Sequence, residues 1–515
     1  MAAISGTYDS EFSQLESRIS QLQRTALTTL HQILLSQNAL SLSELNLEHL
    51  LIDRLTQSLG GPEPFLQVLL LDAVFDALKI RHASKPDSVP LSPTTEPKRQ
   101  LTLDRPQSAR RSLSLETGEV QLLNFTPPPP SLIKCLQAGF SASSSRPVLD
   151  SWVSFLIECL PFYSDSIYQI LIPLVETLCS EIGETFDNLR TTFKNSGVGS
   201  VGSAAPETTL ISLLNALEHV LARSHDCLLQ DELKQSAAKS PDQPQGFFGN
   251  MVSGVFTTEA PQTRSATANN RLTVLLSFQD SVRICFTIWS WGGPDGGVQD
   301  IESASSFNYT SLRMRNRARR LLEHLFAAET LECLETVIQI WQNSSKSHNG
   351  LRSPVVLNLL HVLDGSRPKH TMPAIFDAIY SRTNPSALEP SRKSTLTTSI
   401  DDTELVRFLV EYAKSLEDDA MDEIWTDCVA FLKDLLANPF PHRQTLPSML
   451  EFAAILGEKV DNTNFGEQRR MRRELAVSIR KVSFRVYFVY VITNISRISS
   501  YAYLRQFLRP GQWDS

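Results

Sequence analysis

The chain has 515 residues, 42% of them hydrophobic and 20% charged, with a formal net charge of −8. That length buries a sizeable core and predicts about two to four domains or one elongated array. The acidic balance excludes general nucleic-acid binding, which needs a cationic surface to neutralise phosphates, so no nucleic acid is expected as a partner.

The opening residues MAAISGTYDSEF have neither a basic n-region nor an apolar h-region, so no signal peptide is read there. Phe12, Leu15, Ile19, Leu22, Ala26, Leu30 and Ile33 follow a three-four spacing. It suits a first helix packed on its neighbours, with a short coiled coil as the other reading. Ser41-Leu-Ser-Glu44 reads as a capping box for the next helix, which Gly60-Gly61-Pro62 ends. Glu63 to Arg81 predicts a third helix, apolar on most of its circumference. Asp72 and Asp76 break its apolar run well short of a membrane span.

Residues 82–130 change character, with Pro86, Pro90, Pro93, Pro97, Pro106 and the run Pro127 to Pro130 among Ser and Arg. Such a composition predicts a disordered linker. Arg110 and Arg111 precede Ser112 and Ser114, and Ser92 precedes Pro93, contexts that resemble kinase acceptor sites. Helical periodicity resumes over 131–140, 148–160 and 164–193, with Pro173 a potential kink, and again over 208–235.

Within a second linker, 236–269, the stretch QGFFGNMVSGVFTT places Phe247, Phe248, Met251, Val252, Val255 and Phe256 on one stripe if helical. Its opposite face is Gly, Asn, Ser and Thr. That pattern suits either shallow insertion into loosely packed lipid or docking into a groove of the chain itself or of a partner. Residues 270–291 predict a strongly apolar helix that stops at SWGGPDGG.

The stretch around which the rest is arranged runs from Phe307 to Trp341. Arg313, Arg315, Arg317, Arg319 and Arg320 fall within eight residues, and Arg313, Arg317 and Arg320 share one helical face. Two apolar stripes, from Leu321 to Phe326 and from Leu331 to Trp341, predict two helices with a break near Ala328 to Thr330 and Thr330 as N-cap. The arginines serve either intramolecular pairing with nearby glutamates (Glu323, Glu329, Glu332, Glu335) or binding of an acidic partner or anionic lipid headgroups. Amphipathic helices continue over 354–363, 372–382, 402–414, 418–436 and 445–459, with Asp401-Asp-Thr-Glu404 capping one of them.

Seven isolated cysteines, without CxxC or a histidine at metal-ligand spacing, read as reduced buried thiols of a cytosolic protein. No P-loop, GxGxxG, HExxH, GxSxG or kinase signature is present. The acids at Glu417, Asp418, Asp419, Asp422 and Glu423 lack EF-hand spacing and suit a solvated helix start. No catalytic residue, cofactor site or metal site is expected, and the chain reads as a non-enzyme.

The fold expected is all-α: an irregular, HEAT- or armadillo-like α-solenoid of amphipathic helices with long disordered linkers. Helical segments fall at 1–81, 131–235, 270–343 and 344–464, and a basic aromatic tail at 465–515.

Several stretches carry a resemblance. LDSWVSFLIECLPFYSDSIYQILIPLVETLCSEI (149–182), NRLTVLLSFQDSVRICFTIWSW (270–291), YTSLRMRNRARRLLEHLFAAETLECLETVIQIW (309–341), LVEYAKSLEDDAMDEIW (409–425) and EKVDNTNFGEQRRMRREL (458–475) resemble the interior of fungal Dopey-family proteins. The resemblance implies a helical, non-enzymatic cytosolic scaffold, peripheral on Golgi, trans-Golgi network and endosomal membranes, in traffic between endosomes and the Golgi. It also implies effects on cell morphogenesis and endoplasmic reticulum organisation. The partners it implies are a large Arf-GEF-like scaffold protein and a phospholipid flippase; an anionic membrane surface is a further contact read from the arginines, not from the resemblance. A cortical or cytoskeletal adaptor for cell polarity, without direct membrane contact, is the other reading. The resemblance covers an interior region, without the family's N-terminal domain, and stops after Leu475. Residues 466–509 carry ten Lys/Arg against two Glu; the tail reads as foreign to the family or as a basic extension for anionic membrane.

Overall fold

The computed structural model describes residues 2–83, 127–194, 206–238, 266–292, 305–347, 354–363, 367–437, 442, 444–462, 470–471 and 473–477. Most of both linkers, the tail beyond 477, Ser92, Ser112, Ser114 and the Phe247–Phe256 stretch lie outside the described residues. The chain divides into two compact units, Met1–Leu321 and Leu322–Ser515. Among the described residues there is no strand, and no helix is long and apolar enough to cross a membrane.

The first unit contains α1 (Ala2–Leu34), α2 (Leu47–Ser58), α3 (Pro64–Ala83), α4 (Pro130–Ser141), α5 (Leu149–Cys159), α6 (Ile167–Lys194), α7 (Pro206–Ala238) and α8 (Ala266–Trp289), and then most of α9 (Ser305–Ala328). The contacts define two layers. One runs α1, α3, α5, α7 and the other α2, α4, α6, α8, with α2–α3, α4–α5 and α6–α7 packed as neighbours between them. This repeated pairing is an α-solenoid: each pair buries its apolar faces only by stacking on the next. Helices separated by the first linker therefore pack directly, as α2 with α4 and α3 with α5.

Trp152, Phe140, Phe186 and Phe278 fill the core of this unit. Gly139 lets α4 approach Trp152, because a Cβ there would overlap the indole ring. The Trp152 Nε1–H donates to Gln67 Oε1 at 3.0 Å, so the buried indole is satisfied. Gly292, at φ +71°, ends α8 where the sequence predicts a stop. Trp291 then sits in an aromatic cluster with Phe186, Phe193 and Phe307, at centroid distances of 5.4, 5.9 and 5.4 Å, which fixes the start of α9.

The second unit contains α10 (Thr330–Ser347), α11 (Val355–Val362), α12 (Pro368–Thr383), α13 (Asp402–Ser415), α14 (Met421–Ala437) and α15 (Leu446–Asn462). Helix α12 packs on α10, α13 and α14, and α13 packs on α15. Trp341 meets Phe408 edge-on at 5.2 Å, and Phe376 stacks on Phe431 at 3.9 Å. Asp401 caps α13 as expected, accepting the Glu404 N–H at 2.7 Å. The acids from Glu417 precede α14 as expected of a helix start, and Asp418 pairs with Lys459 at 3.2 Å.

Three local expectations are corrected. Ser41 does not cap a helix: residues Ala39–Leu45 form a 3₁₀ segment, the Ser41 hydroxyl donates back to the Asn38 carbonyl at 2.7 Å, and left-handed Asn46 (φ +47°) leads into α2. Thr330 does not cap α10 either; its hydroxyl donates to the Phe326 carbonyl at 2.8 Å. In α1 the covered face is rotated from the predicted one. Leu34 is buried and Leu27 and Leu30 half-buried, whereas Ile19, Leu22, Ala26 and Ile33 are exposed.

Candidate functional site

The arginine-rich turn of α9 lies over α7, whose side chains decide what each arginine does. Arg317 is held at the base. Its Nε and Nη2 donate to Asn215 Oδ1 at 3.0 and 2.8 Å, and Nη2 also pairs with the Glu218 carboxylate. Both side chains of that ion pair are 14% exposed, so it is desolvated enough to count in the fold. Beside it His219 is kept below the usual imidazole range, chiefly by burial and by the Arg317 charge, against the pull of Glu218.

Arg315 turns the other way. Its Nε donates to the Trp289 carbonyl at 2.9 Å, and its guanidinium lies 5.6 Å from that residue's ring centroid. It thereby satisfies an orphan carbonyl at the end of α8. Arg313 is exposed and pairs with Glu207 at 3.6 Å, a weak contact in open solvent. The same Glu207 accepts the Thr310 hydroxyl at 2.6 Å. Arg319 is half-buried and Arg320 exposed. Together α7 and α9 enclose a groove of about 700 Å³ lined by Ile211, Tyr309, Leu312, Arg313, Asn316, Arg317, Arg319 and Arg320.

Sequence reasoning missed Glu207, Asn215 and Glu218, which lie about a hundred residues before the arginines and carry no local signal. It also missed Tyr309 and Leu312 as parts of the same surface, although both fall on the face of Arg313 and Arg320 at helical spacing. Of the α10 glutamates, Glu335 instead pairs with Arg382 at 2.8 Å, and Glu332 accepts the Thr395 N–H at 2.8 Å.

All seven cysteines are free thiols, six of them buried. Among the described residues, no group of three His, Cys, Asp or Glu is placed to hold a metal ion. The stacked helix pairs define the class: an all-α helical-repeat protein.

Comparison with known proteins narrows this to a family. Residues 20–230 match the model of the DOP1 TPR domain, and residues 408–508 that of the DOP1 C-terminal region. The chain is 50% identical over 463 residues to Protein dop1 of Emericella nidulans, covering 88% of this chain and 24% of that one. It is 27% identical over 360 residues to Protein DOP1 of Saccharomyces cerevisiae, covering 67% of this chain and 20% of the yeast one. The chain belongs to the Dopey (DOP1) family. It matches about a quarter or less of the length of these curated relatives. The C-terminal model runs to residue 508, so the family likeness continues past Leu475, where the sequence reading ended it. No solved structure matches the chain.

Proposed function

We propose that the chain works as a non-enzymatic helical scaffold in vesicle-mediated transport between endosomes and the Golgi. It sits on the cytosolic side of Golgi, trans-Golgi network and endosomal membranes, held there mainly by partners. The partners in this reading are a large Arf-GEF-like scaffold protein and a phospholipid flippase. The observation that carries the proposal is the 50% identity to Protein dop1 over 88% of this chain. The architecture supports it: layered helix pairs offer extended surfaces for partner segments, and the polar groups of α9 are arranged for binding anionic groups. Arg313 and Arg320, with half-buried Arg319 between them, make α9 a cationic contact, while Arg315 and Arg317 are engaged within the fold. One such patch contributes modestly to membrane residence, so recruitment through partners dominates.

The test is to tag the endogenous protein and follow it against trans-Golgi and endosomal markers, while measuring return of an endosome-to-Golgi cargo after depletion. The expected result is overlap with both compartments and cargo trapped in endosomes. A cortical distribution with normal cargo return would overturn the transport reading in favour of a polarity adaptor.

A further inference from the structure

Along α9 the surface away from the core is not uniformly cationic. Tyr309 is 67% exposed and Leu312 56% exposed. They stand one turn apart and open onto the α7–α9 groove beside Ile211. Tyr309, Leu312, Arg313 and Arg320 follow at i, i+3, i+4 and i+11, so an apolar strip runs directly into a cationic one on a single face. Large apolar side chains this exposed in a concave site gain stabilisation when something covers them.

Charge selects what covers them. Arg317, at the base, is already neutralised by Glu218 and serves the fold. Arg313 shares Glu207 only at 3.6 Å, with 45% of its side chain exposed. Arg320 is exposed and has no partner among the described residues. A guanidinium in this state gains most from a carboxylate that it can grip with two N–H groups in a partly dry site.

Shape separates a peptide from a bilayer. A lipid surface reaches the rim arginines but does not fill a groove of about 700 Å³ with an apolar wall. A helix laid between α7 and α9 does both at once. Its apolar residues cover Ile211, Tyr309 and Leu312, and its flanking carboxylates reach Arg313 and Arg320.

We propose that the α7–α9 groove docks an acidic amphipathic helix of a partner protein. Leucine-type side chains seat on Tyr309 and Leu312, and carboxylates pair with Arg313 and Arg320. This deepens the cationic contact of α9 proposed above and rests on that contact, independently of the compartment in which the protein works.

The test uses the full chain and fluorescence anisotropy. The probe is a labelled helical peptide of about five turns, with leucines at i, i+3, i+4 and i+7 and glutamates on the flanking positions. The comparators are the same peptide with lysine for glutamate, and phosphatidylcholine vesicles containing about one-third phosphatidylserine. The acidic peptide should bind in a salt-sensitive manner and the lysine peptide should not. Arg313→Glu with Arg320→Glu should weaken binding at least about tenfold, and Leu312→Ser several-fold. All three side chains are exposed, so helical circular dichroism and melting should stay unchanged in the variants. Absence of peptide binding, equal affinity in the variants, or equal binding of the lysine peptide would overturn the proposal. So would binding to the anionic vesicles alone, which would make this face a membrane contact. Mislocalisation in cells with peptide binding intact would overturn the transport reading and leave this one standing.

Discussion

Arg382 grips Glu335 with both terminal nitrogens, Nη1 to Oε1 at 2.8 Å and Nη2 to Oε2 at 3.1 Å. The Glu335 side chain is fully buried and that of Arg382 is 11% exposed. The Thr398 hydroxyl donates to the same carboxylate at 2.9 Å, and the Arg382 Nε donates to the Ile400 carbonyl at 2.9 Å. One ion pair thus ties α10, α12 and the irregular segment before α13 together. Because both carboxylate oxygens and most guanidinium donors are used, the hydrogen bonds offset the desolvation of two charges.

Removing one partner should therefore cost far more than removing both. Glu335→Ala leaves a guanidinium largely buried and uncompensated, and should destabilise the second unit by about 3–5 kcal/mol. Glu335→Leu combined with Arg382→Met should recover much of that loss. Hydrogen exchange on the full chain gives the check. In Glu335→Ala, amides of α10 and α12 should exchange faster, while those of α3 keep their wild-type rates. A loss in the double variant as large as in the single would show that the pair itself, not the orphaned charge, dominates.

Gly139→Ala sets two effects against each other. Alanine favours an α-helix over glycine by about 1 kcal/mol. Here its methyl group would overlap the ring of Trp152, which is fully buried and bonded to Gln67. Gln67 in turn donates to the Ser144 hydroxyl at 3.3 Å, and Ser144 donates to the Leu59 carbonyl at 2.7 Å. The indole cannot shift without disturbing that chain. Overpacking of this kind typically costs about 1–3 kcal/mol, so the net effect should be a loss, read as a lower melting temperature and a changed tryptophan emission. A gain in stability would mean that the core at Trp152 yields easily.

Stability should fall as the solution is acidified from neutrality. His219, His361 and His442 all have imidazole pKa values held below the usual range, in each case chiefly by burial. A histidine kept neutral in the fold takes up its proton more readily when unfolded. The unfolded chain therefore binds more protons, and stability declines as pH drops through the ordinary histidine range of about 6.5. Asp72, Asp226 and Asp377 act with the opposite sign, because burial raises them. Their folded forms bind protons first, which offsets part of the loss at lower pH, nearer the carboxylate range. Melting temperatures measured from pH 7.5 downward should fall first and flatten later. His219→Gln should reduce the first slope.

What the sequence made legible was local. Asp401 and Glu404 are three residues apart, and Asp401 caps α13 as read, accepting the Glu404 N–H. Ser41 and Glu44 have the same spacing, yet the chain there takes a 3₁₀ path, because left-handed Asn46 sets the entry to α2 and the cap loses its helix. Periodicity located α1 but could not say which of two overlapping stripes is covered; Leu34 is buried where Ile33 is exposed, a choice made by α3. The arginines of α9 were visible at once. Their sorting into structural Arg315 and Arg317 and exposed Arg313 and Arg320 was not, since it depends on Glu207, Glu218 and the end of α8.

The cysteines offer a probe of each unit by itself. Burial raises the thiol of Cys135 to about 11 and that of Cys179 to about 12. Cys333 and Cys428 are raised too, again chiefly by burial. Only the thiolate attacks an alkylating reagent, so at pH 7.5 the native protein should be labelled at these positions only through opening of the fold. Cys135 reports the first unit, and Cys333 and Cys428 the second. In increasing urea the two sets should be labelled along separate curves if the units open independently, and Glu335→Ala should advance Cys333 while leaving Cys135 unchanged. Because Cys333 lies on α10 two residues before Glu335, its labelling would register loss of the ion pair at its source. Rapid labelling of Cys333 in the native wild-type chain would mean that α10 opens without denaturant, and the Glu335–Arg382 pair would then not be what holds that unit closed.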